Sequence, residues 1–252
     1  MTIQEMKQRL EQAGNAEVSA LLELYKEDPR AGVRKLAADY EKRKEAEKRE
    51  QERLVAMTAY ERQYAFLGAV CGIDEAGRGP LAGPVAAAAV ILPEGLLIPY
   101  VNDSKKLSEK RREELYDVIM EKAVSVGVGL SGPARIDEIN ILQATYEAMR
   151  EAVSKLSVTP AVTLNDAVTI PGLQGNIRQV PIIKGDAKSL SIAAASIIAK
   201  VTRDRLMREY DRLYSQYGFA GHKGYGSAEH IRAIREHGPC PIHRRTFLKG
   251  LM

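Results

Sequence analysis

The chain has 252 residues, 45% of them hydrophobic, and a formal net charge of +4. That length suits one sizeable domain with an appendage, and the mild positive balance permits a nucleic-acid partner without requiring one. A membrane protein and a disulfide scaffold are not expected: no apolar run reaches bilayer length, and Cys71 and Cys240 form no C-x-x-C pair. With no signal-peptide segment at the start, a cytoplasmic location is expected.

Residues 1–66 read as helices. Leu10, Val18, Leu21, Leu22, Leu24, Val33, Leu36 and Ala37 recur at helical spacing among charges. Over 41–53, acidic and basic residues alternate in blocks at spacings that pair on one helix face. Their charges nearly cancel, so the segment is expected to be a helical extension rather than a nucleic-acid arm.

The composition changes at residue 67. An apolar run over 67–73 leads into Asp74 and Glu75, then Ala76-Gly77-Arg78-Gly79-Pro80-Leu81-Ala82-Gly83-Pro84, and a second apolar run over 85–92. Short runs bounded by Gly and Pro read as buried strands. A core strand ending in two acids is costly unless partners or cations compensate the charge. The glycines allow close backbone approach, and Arg78 suits a phosphate. Acids for a cation beside bare backbone and a phosphate-binding Arg point to nuclease chemistry. Two other readings fit the same residues. Gly77 to Ala82 matches the G-x-G-x-x-A dinucleotide pattern, which requires a helix after Gly83. A plain hairpin with solvated acids is the other.

Further along, Ser108 caps a helix over 108–122. Residues 124–130 alternate and read as a third strand, completing a meander. A helix is expected over 140–156, short strands over 161–164 and 180–183, and a long helix or broken pair over 190–217. Arg203, Arg205, Arg208 and Arg212 lie among acids and need not face DNA. His222, His230, His237 and His243 show no zinc-site spacing, and His230 and His237, two turns apart on an expected helix, are expected to be structural or exposed. Arg244 and Arg245 are candidate duplex contacts. The segment from Gly185 to Ser189 echoes a P-loop but lacks its first glycine.

The stretch Gly72-Ile73-Asp74-Glu75-Ala76-Gly77-Arg78-Gly79-Pro80-Leu81-Ala82-Gly83-Pro84-Val85 resembles the signature of the ribonuclease HII family, the type 2 ribonucleases H. The resemblance continues through Asp103-Ser104-Lys105-Lys106-Leu107-Ser108, Ile183-Lys184-Gly185-Asp186-Ala187-Lys188-Ser189, His222-Lys223-Gly224-Tyr225-Gly226 and Gly238-Pro239-Cys240-Pro241-Ile242-His243-Arg244. It covers residues 68–247. It implies an α/β, ribonuclease H-like fold: a mixed β-sheet flanked by helices, with a catalytic domain over 67–252 that includes C-terminal helices. The segment 1–66 would be a helical N-terminal extension. That differs from the type 3 enzymes, whose extra domain is a small mixed sheet with helices.

The implied activity is that of a metal-dependent endoribonuclease. It would hydrolyse the RNA strand of RNA–DNA hybrids and nick 5′ to ribonucleotides embedded in duplex DNA, leaving 3′-hydroxyl and 5′-phosphate ends. Its role would be removal of misincorporated ribonucleotides, and a monomer is expected. By the same resemblance Asp74, Glu75, Asp166 and Asp186 are catalytic and metal-ligating, for Mn2+ or Mg2+. Two-metal hydrolysis uses cations about 3.5–4 Å apart, and hard cations want oxygen ligands. Asp74 would be shared by both ions, with Asp166 and Asp186 each completing one shell. Adjacent strand residues point to opposite faces, so Glu75 joins them only if the strand ends or twists there. Asn165 stands where the family usually has an aliphatic residue, and if buried it needs partners. Gly77, Arg78 and Gly79 would meet the 2′-hydroxyl, which distinguishes RNA from DNA. Tyr225 would stack under the next sugar. Ser104 and Lys105 would hold phosphates at a helix entrance, and Lys184 and Lys188 the nucleic-acid backbone.

Overall fold

The computed structural model describes residues 1–251. Contacts divide it into two units, Met1–Arg53 and the chain from Leu54 onward. In the first unit, helices α1 (Ile3–Gln12), α2 (Asn15–Lys26) and most of α3 (Ala31–Met57) pack Met6, Leu10, Leu21, Tyr25, Val33, Ala37 and Tyr40 together. Helix α1 opens on a capping box: Thr2 Oγ1 accepts from Glu5 N–H, and the Glu5 carboxylate accepts from Thr2 N–H. Lys44–Glu47 and Arg49–Glu45 pair along α3 as the charge blocks predict. These exposed pairs contribute little each.

The second unit contains α4 (Ala59–Tyr64), β1 (Val70–Ala76), β2 (Val85–Ile91), α5 (Glu109–Lys122), β3 (Ser125–Ser131), α6 (Pro133–Ser154), β4 (Val162–Asp166), β5 (Arg178–Ile182), α7 (Leu190–Leu213), α8 (Phe219–His222) and α9 (Ala228–His237). Strand order is β3-β2-β1-β4-β5. The expected meander β1-β2-β3 is antiparallel, while β1-β4 and β4-β5 are parallel, which makes the sheet mixed. Residues 54–66 belong to this unit: Leu54 and Met57 lie in its core.

All seven residues of β2 are buried because helices cover both faces of the sheet. Ala88 and Val90 join the α7 side, and Val85, Ala87, Ala89 and Ile91 the α6 side. A strand after Gly83, where the dinucleotide pattern needs a helix, removes the nicotinamide reading.

Two helix bounds differ from the sequence reading. Helix α6 begins at Pro133, seven residues before the expected start, with non-helical Asn140 (φ 70°) inside it. Asn140 Oδ1 accepts from the N–H groups of Leu142 and Gln143. Asn140 therefore caps the second half, and that cap is what the sequence displays as a start. Helix α7 ends at Leu213, and 215–217 form a separate 3₁₀ turn.

The sheet and α7 meet closely at Gly72, where an added Cβ would lie 2.1 Å from Ser191 C and 2.3 Å from Ile192 N. These are backbone atoms and cannot swing aside. Gly72→Ala is expected to cost about 1–3 kcal/mol by overpacking and to lower the melting temperature by roughly 2–4 °C per kcal/mol. Calorimetry showing an unchanged melting temperature would mean that α7 is not seated this way.

Candidate active site

Four acids converge where β1 and β4 end. These strands are parallel neighbours in register Ile73↔Asn165, so Asp74 and Asp166 stand level at their C-terminal ends. Alternation places both on the α7 side, since Leu164 packs with Ile192. Glu75 has the opposite parity, but the strand stops one residue later, and its carboxyl feels the Asp166 charge. Asp186 sits in a 3₁₀ turn, Gly185–Ala187, tied back by Gly185 N–H donating to Asp166 Oδ1 at 2.7 Å.

Electrostatics mark this cluster as short of positive charge. Burial pushes the Asp74 carboxyl well above the usual carboxylate range, and the Glu75 and Asp166 charges add to it. Burial also raises Glu75, against the pull of Arg78, whose Nη1 lies 3.2 Å from Glu75 Oε1. Asp186 is raised by burial and then by Asp103 and Asp166. Glu75 Oε2 is buried without a partner. Asn165 is fully buried, and its Nδ2 donates to Gln179 Oε1 at 3.1 Å, which answers half of its hydrogen-bonding need.

The Gly77–Pro84 turn is built on two buried guanidinium groups. Arg244 donates to the carbonyls of Gly83 (3.0 Å), Arg78 (2.7 Å) and Gly77 (2.5 Å). Arg203 donates to those of Pro84 (2.9 Å), Ala82 (3.0 Å) and Lys223 (2.9 Å). Turning these carbonyls inward leaves Arg78 and Gly79 exposed on the opposite side. At Gly77 (φ 90°) a Cβ would lie 2.0 Å from Arg203 Nε, so only glycine fits. Leu81 N–H donates to Gly224 O at 2.8 Å and brings in Tyr225, whose ring lies 3.9 Å from where a Gly79 Cβ would be.

Residues 71–249 match the family model described as Ribonuclease HII, and residues 2–65 match that of the Ribonuclease HII N-terminal domain. The chain belongs to the ribonuclease HII family. It is 59% identical over 249 residues to a ribonuclease HII of Lachnoclostridium phytofermentans, covering 99% of this chain and 97% of that one. To a ribonuclease HII of Clostridioides difficile it is 47% identical over 256 residues, covering 100% and 98%. Among solved structures, the ribonuclease H2 from Pyrococcus horikoshii OT3 is similar at 30% identity and a TM-score of 0.60, covering 73% of this chain and 96% of that chain. The protein is accordingly a type 2 endoribonuclease H.

Several residues around this candidate site of the ribonuclease HII chain differ from their expected placement or escaped the sequence reading. Arg244 is wholly buried and faces the turn, not a duplex. Its flanking positions gave no sign of this, because only the fold brings residue 244 beneath residue 77. Ser104 is buried, its Oγ hydrogen-bonded to Ser196 Oγ at 3.0 Å, and Ser196 also bonds Asp74. Ser196 was legible only as a polar residue in an apolar helix stripe. Asp103 adds a fifth carboxyl beside Asp186. Lys105 is exposed and its charge reaches both Glu75 and Asp186. Lys184 and Lys188 are exposed on either side of Asp186.

Buried, under-compensated oxygens of this kind suit a hard divalent cation. As they stand, no three His, Cys, Asp or Glu side chains among the described residues close around an ion. One oxygen of each of three acids is engaged locally: Asp74 Oδ1 accepts from Glu75 N–H, Glu75 Oε1 from Arg78, and Asp166 Oδ1 from Gly185 N–H. An apolar cavity of ≈ 540 Å³ lies elsewhere, lined by Thr58, Ala65, Gly68, Leu92 and Leu97 at the start of β1, the opposite end of the strand from the acids.

Proposed function

We propose that this protein hydrolyses the RNA strand of RNA–DNA hybrids and nicks 5′ to ribonucleotides embedded in duplex DNA, leaving 3′-hydroxyl and 5′-phosphate ends. The observation that carries this is the placement of Asp74, Glu75, Asp166 and Asp186 beside the Gly77–Gly79 turn and Tyr225. A charge-hungry acid cluster adjoins exposed backbone and an exposed aromatic ring. Asp74, Glu75, Asp166 and Asp186 would hold divalent cations, Mn2+ or Mg2+. Bound there, the cations supply activation of water and stabilisation of the leaving oxygen. Arg78, bonded to Glu75, is placed to receive a phosphate next to the acids. The 2′-hydroxyl meets the turn and the Tyr225 ring, which is how a ribonucleotide is distinguished. Lys105, Lys184 and Lys188 contact the phosphate backbone. Two unpaired cysteines support a reducing cytoplasm, and no described helix is long and apolar enough to cross a membrane.

The test uses end-labelled duplexes with one ribonucleotide, an RNA–DNA hybrid and an all-DNA control, each with manganese, magnesium or a chelator. Cleavage 5′ to the ribonucleotide that requires metal supports the reading. Folded protein that cuts neither ribonucleotide substrate in either metal would leave a hybrid-binding module instead. On the same substrates Tyr225→Ala is expected to lower kcat/KM about 10–100-fold, the scale of one lost stacking partner. The loss should be larger for the single-ribonucleotide duplex than for the hybrid. Equal losses on both would remove Tyr225 from recognition of the junction.

A further inference from the structure

We propose that His222, His230 and His243 are positioning residues, three hydrogen-bonded rings that hold the 222–225 backbone and so place Tyr225 for cleavage. This rests on the reading of Tyr225 as a substrate contact.

The geometry determines every proton. His222 Nε2 lies 2.8 Å from the Tyr217 carbonyl oxygen, which can only accept, so Nε2 carries the hydrogen. Its Nδ1 is then bare and accepts from Gly224 N–H at 3.1 Å. His230 Nδ1 lies 2.8 Å from the Tyr225 carbonyl oxygen, so the hydrogen is on Nδ1 and Nε2 is bare. His243 Nε2, 3.0 Å from His230 Nε2, must therefore donate. That leaves His243 Nδ1 to accept from Cys240 N–H at 2.9 Å, with Cys240 Sγ at 3.1 Å. Three hydrogens serve six ring nitrogens, and each bare nitrogen already faces a donor.

A fourth proton has no place. On His222 Nδ1 it would oppose Gly224 N–H; on His243 Nδ1, Cys240 N–H; on His230 Nε2, the His243 N–H. The His222 and His230 rings stack at 4.4 Å and 15°, so charge on either disfavours charge on the other. Phe219 and Tyr217 cover the group from the sides. The remaining titratable neighbours are the Tyr217 hydroxyl, which donates to Gly238 O, and the Cys240 thiol. Of the charged groups beside the rings, Arg203 donates to Lys223 O, Lys223 follows His222, Arg244 follows His243, and Glu229 precedes His230. No carboxylate among the described residues bonds any of the three rings. Burial accordingly lowers His243 and takes His230 down to about 4.

The segment needs such support. Lys223 (φ 53°) and Gly224 (φ 85°) are both left-handed, a backbone that persists only when its surroundings hold it. His222 bonds Gly224 N–H and His230 the Tyr225 carbonyl, so the path from Cys240 through His243 and His230 ends on Tyr225 itself.

The experiment takes the full-length protein, His230→Leu and His230→Asn, whose amide can still donate to Tyr225 O. Ring 15N chemical shifts are followed from about pH 5 to about pH 8. KM and kcat are measured on the single-ribonucleotide duplex across the same range. In the wild type, His222 and His243 should be Nε2–H tautomers and His230 Nδ1–H. His230→Leu should raise KM about tenfold with a smaller change in kcat, the scale of one lost hydrogen bond. His230→Asn should recover most of the loss in KM. Different tautomers would overturn the proposal, as would a folded His230→Leu with wild-type KM. If His230→Leu does not fold, the tautomers and His230→Asn decide. Wild-type protein that cleaves neither ribonucleotide substrate would sink the nuclease reading, and the 15N tautomers would then decide the histidine arrangement alone.

Discussion

Asp74→Asn is expected to cut metal-dependent cleavage severely while raising the melting temperature of the metal-free protein. Asp74 is 6% exposed, and burial, then Glu75 and Asp166, push its carboxyl upward. Between the ordinary value of 3.8 and the raised one, the folded protein holds a proton that the unfolded chain releases. Stability contributed by this group therefore falls as pH rises through that window, and above it the full cost persists. An amide of the same shape removes the cost, by about 1–2 kcal/mol, as is common where a site sacrifices stability for function. Cleavage should fall by about 10²–10³-fold or more, the scale of losing a principal electrostatic stabiliser. Manganese should raise the wild-type melting temperature and leave that of the variant nearly unmoved. His230 and His243 have the opposite pH dependence: their stability is present above 6.5 and declines as pH falls toward about 4 for His230. They are common to both proteins, so the wild-type minus variant difference isolates Asp74. A variant no more stable than wild type at neutral pH, in chelator, would contradict the buried-charge account.

Arg244→Met is expected to be the most destabilising single change at the site. It strips three turn carbonyls of their donor, those of Gly77, Arg78 and Gly83. Unsatisfied buried acceptors cost about 1–3 kcal/mol each, so even at the low end of that range three of them cost about 3 kcal/mol. At roughly 2–4 °C per kcal/mol this lowers the melting temperature by roughly 6–12 °C. Cleavage should fall about 100-fold at temperatures where the variant is still folded, because the turn next to Glu75 loses its shape. Arg244→Lys keeps the charge without the planar fork and should fall between the two. The salt dependence of substrate binding separates this role from a phosphate contact. A contact would reduce the slope of log affinity against log salt by about one and spare the melting temperature. A folded, heat-stable Arg244→Met with a shallower slope would restore Arg244 to the duplex-facing surface.

Much of the fold was legible in the sequence because its signals are local. Apolar runs cut by Gly and Pro marked β1 and β2, and Ser108 marked the start of α5, where its hydroxyl accepts from Arg111 N–H. The 3.6-residue spacing marked α1 to α3. The start of α6 was misplaced because Asn140 interrupts the helix from within and caps its second half, and periodicity sees only the regular part. Leu24 had the right spacing for a core position yet is exposed, since spacing defines a face without saying how wide the covered stripe is.

What the sequence by itself determined was the kind of chemistry and the family: adjacent acids after an apolar run, a Gly-Arg-Gly turn, and motifs in a recognisable order. What only the tertiary structure decided was what lies beneath them. Asp74 and Asp166 are level because β1 and β4 are parallel neighbours, a register that no local pattern encodes. Arg203 and Arg244 lie more than a hundred residues from the carbonyls they hold in the Gly77–Pro84 turn. In the sequence a buried arginine and a solvated one look alike. Only the folded chain shows which has lost its water and must find its acceptors in the backbone.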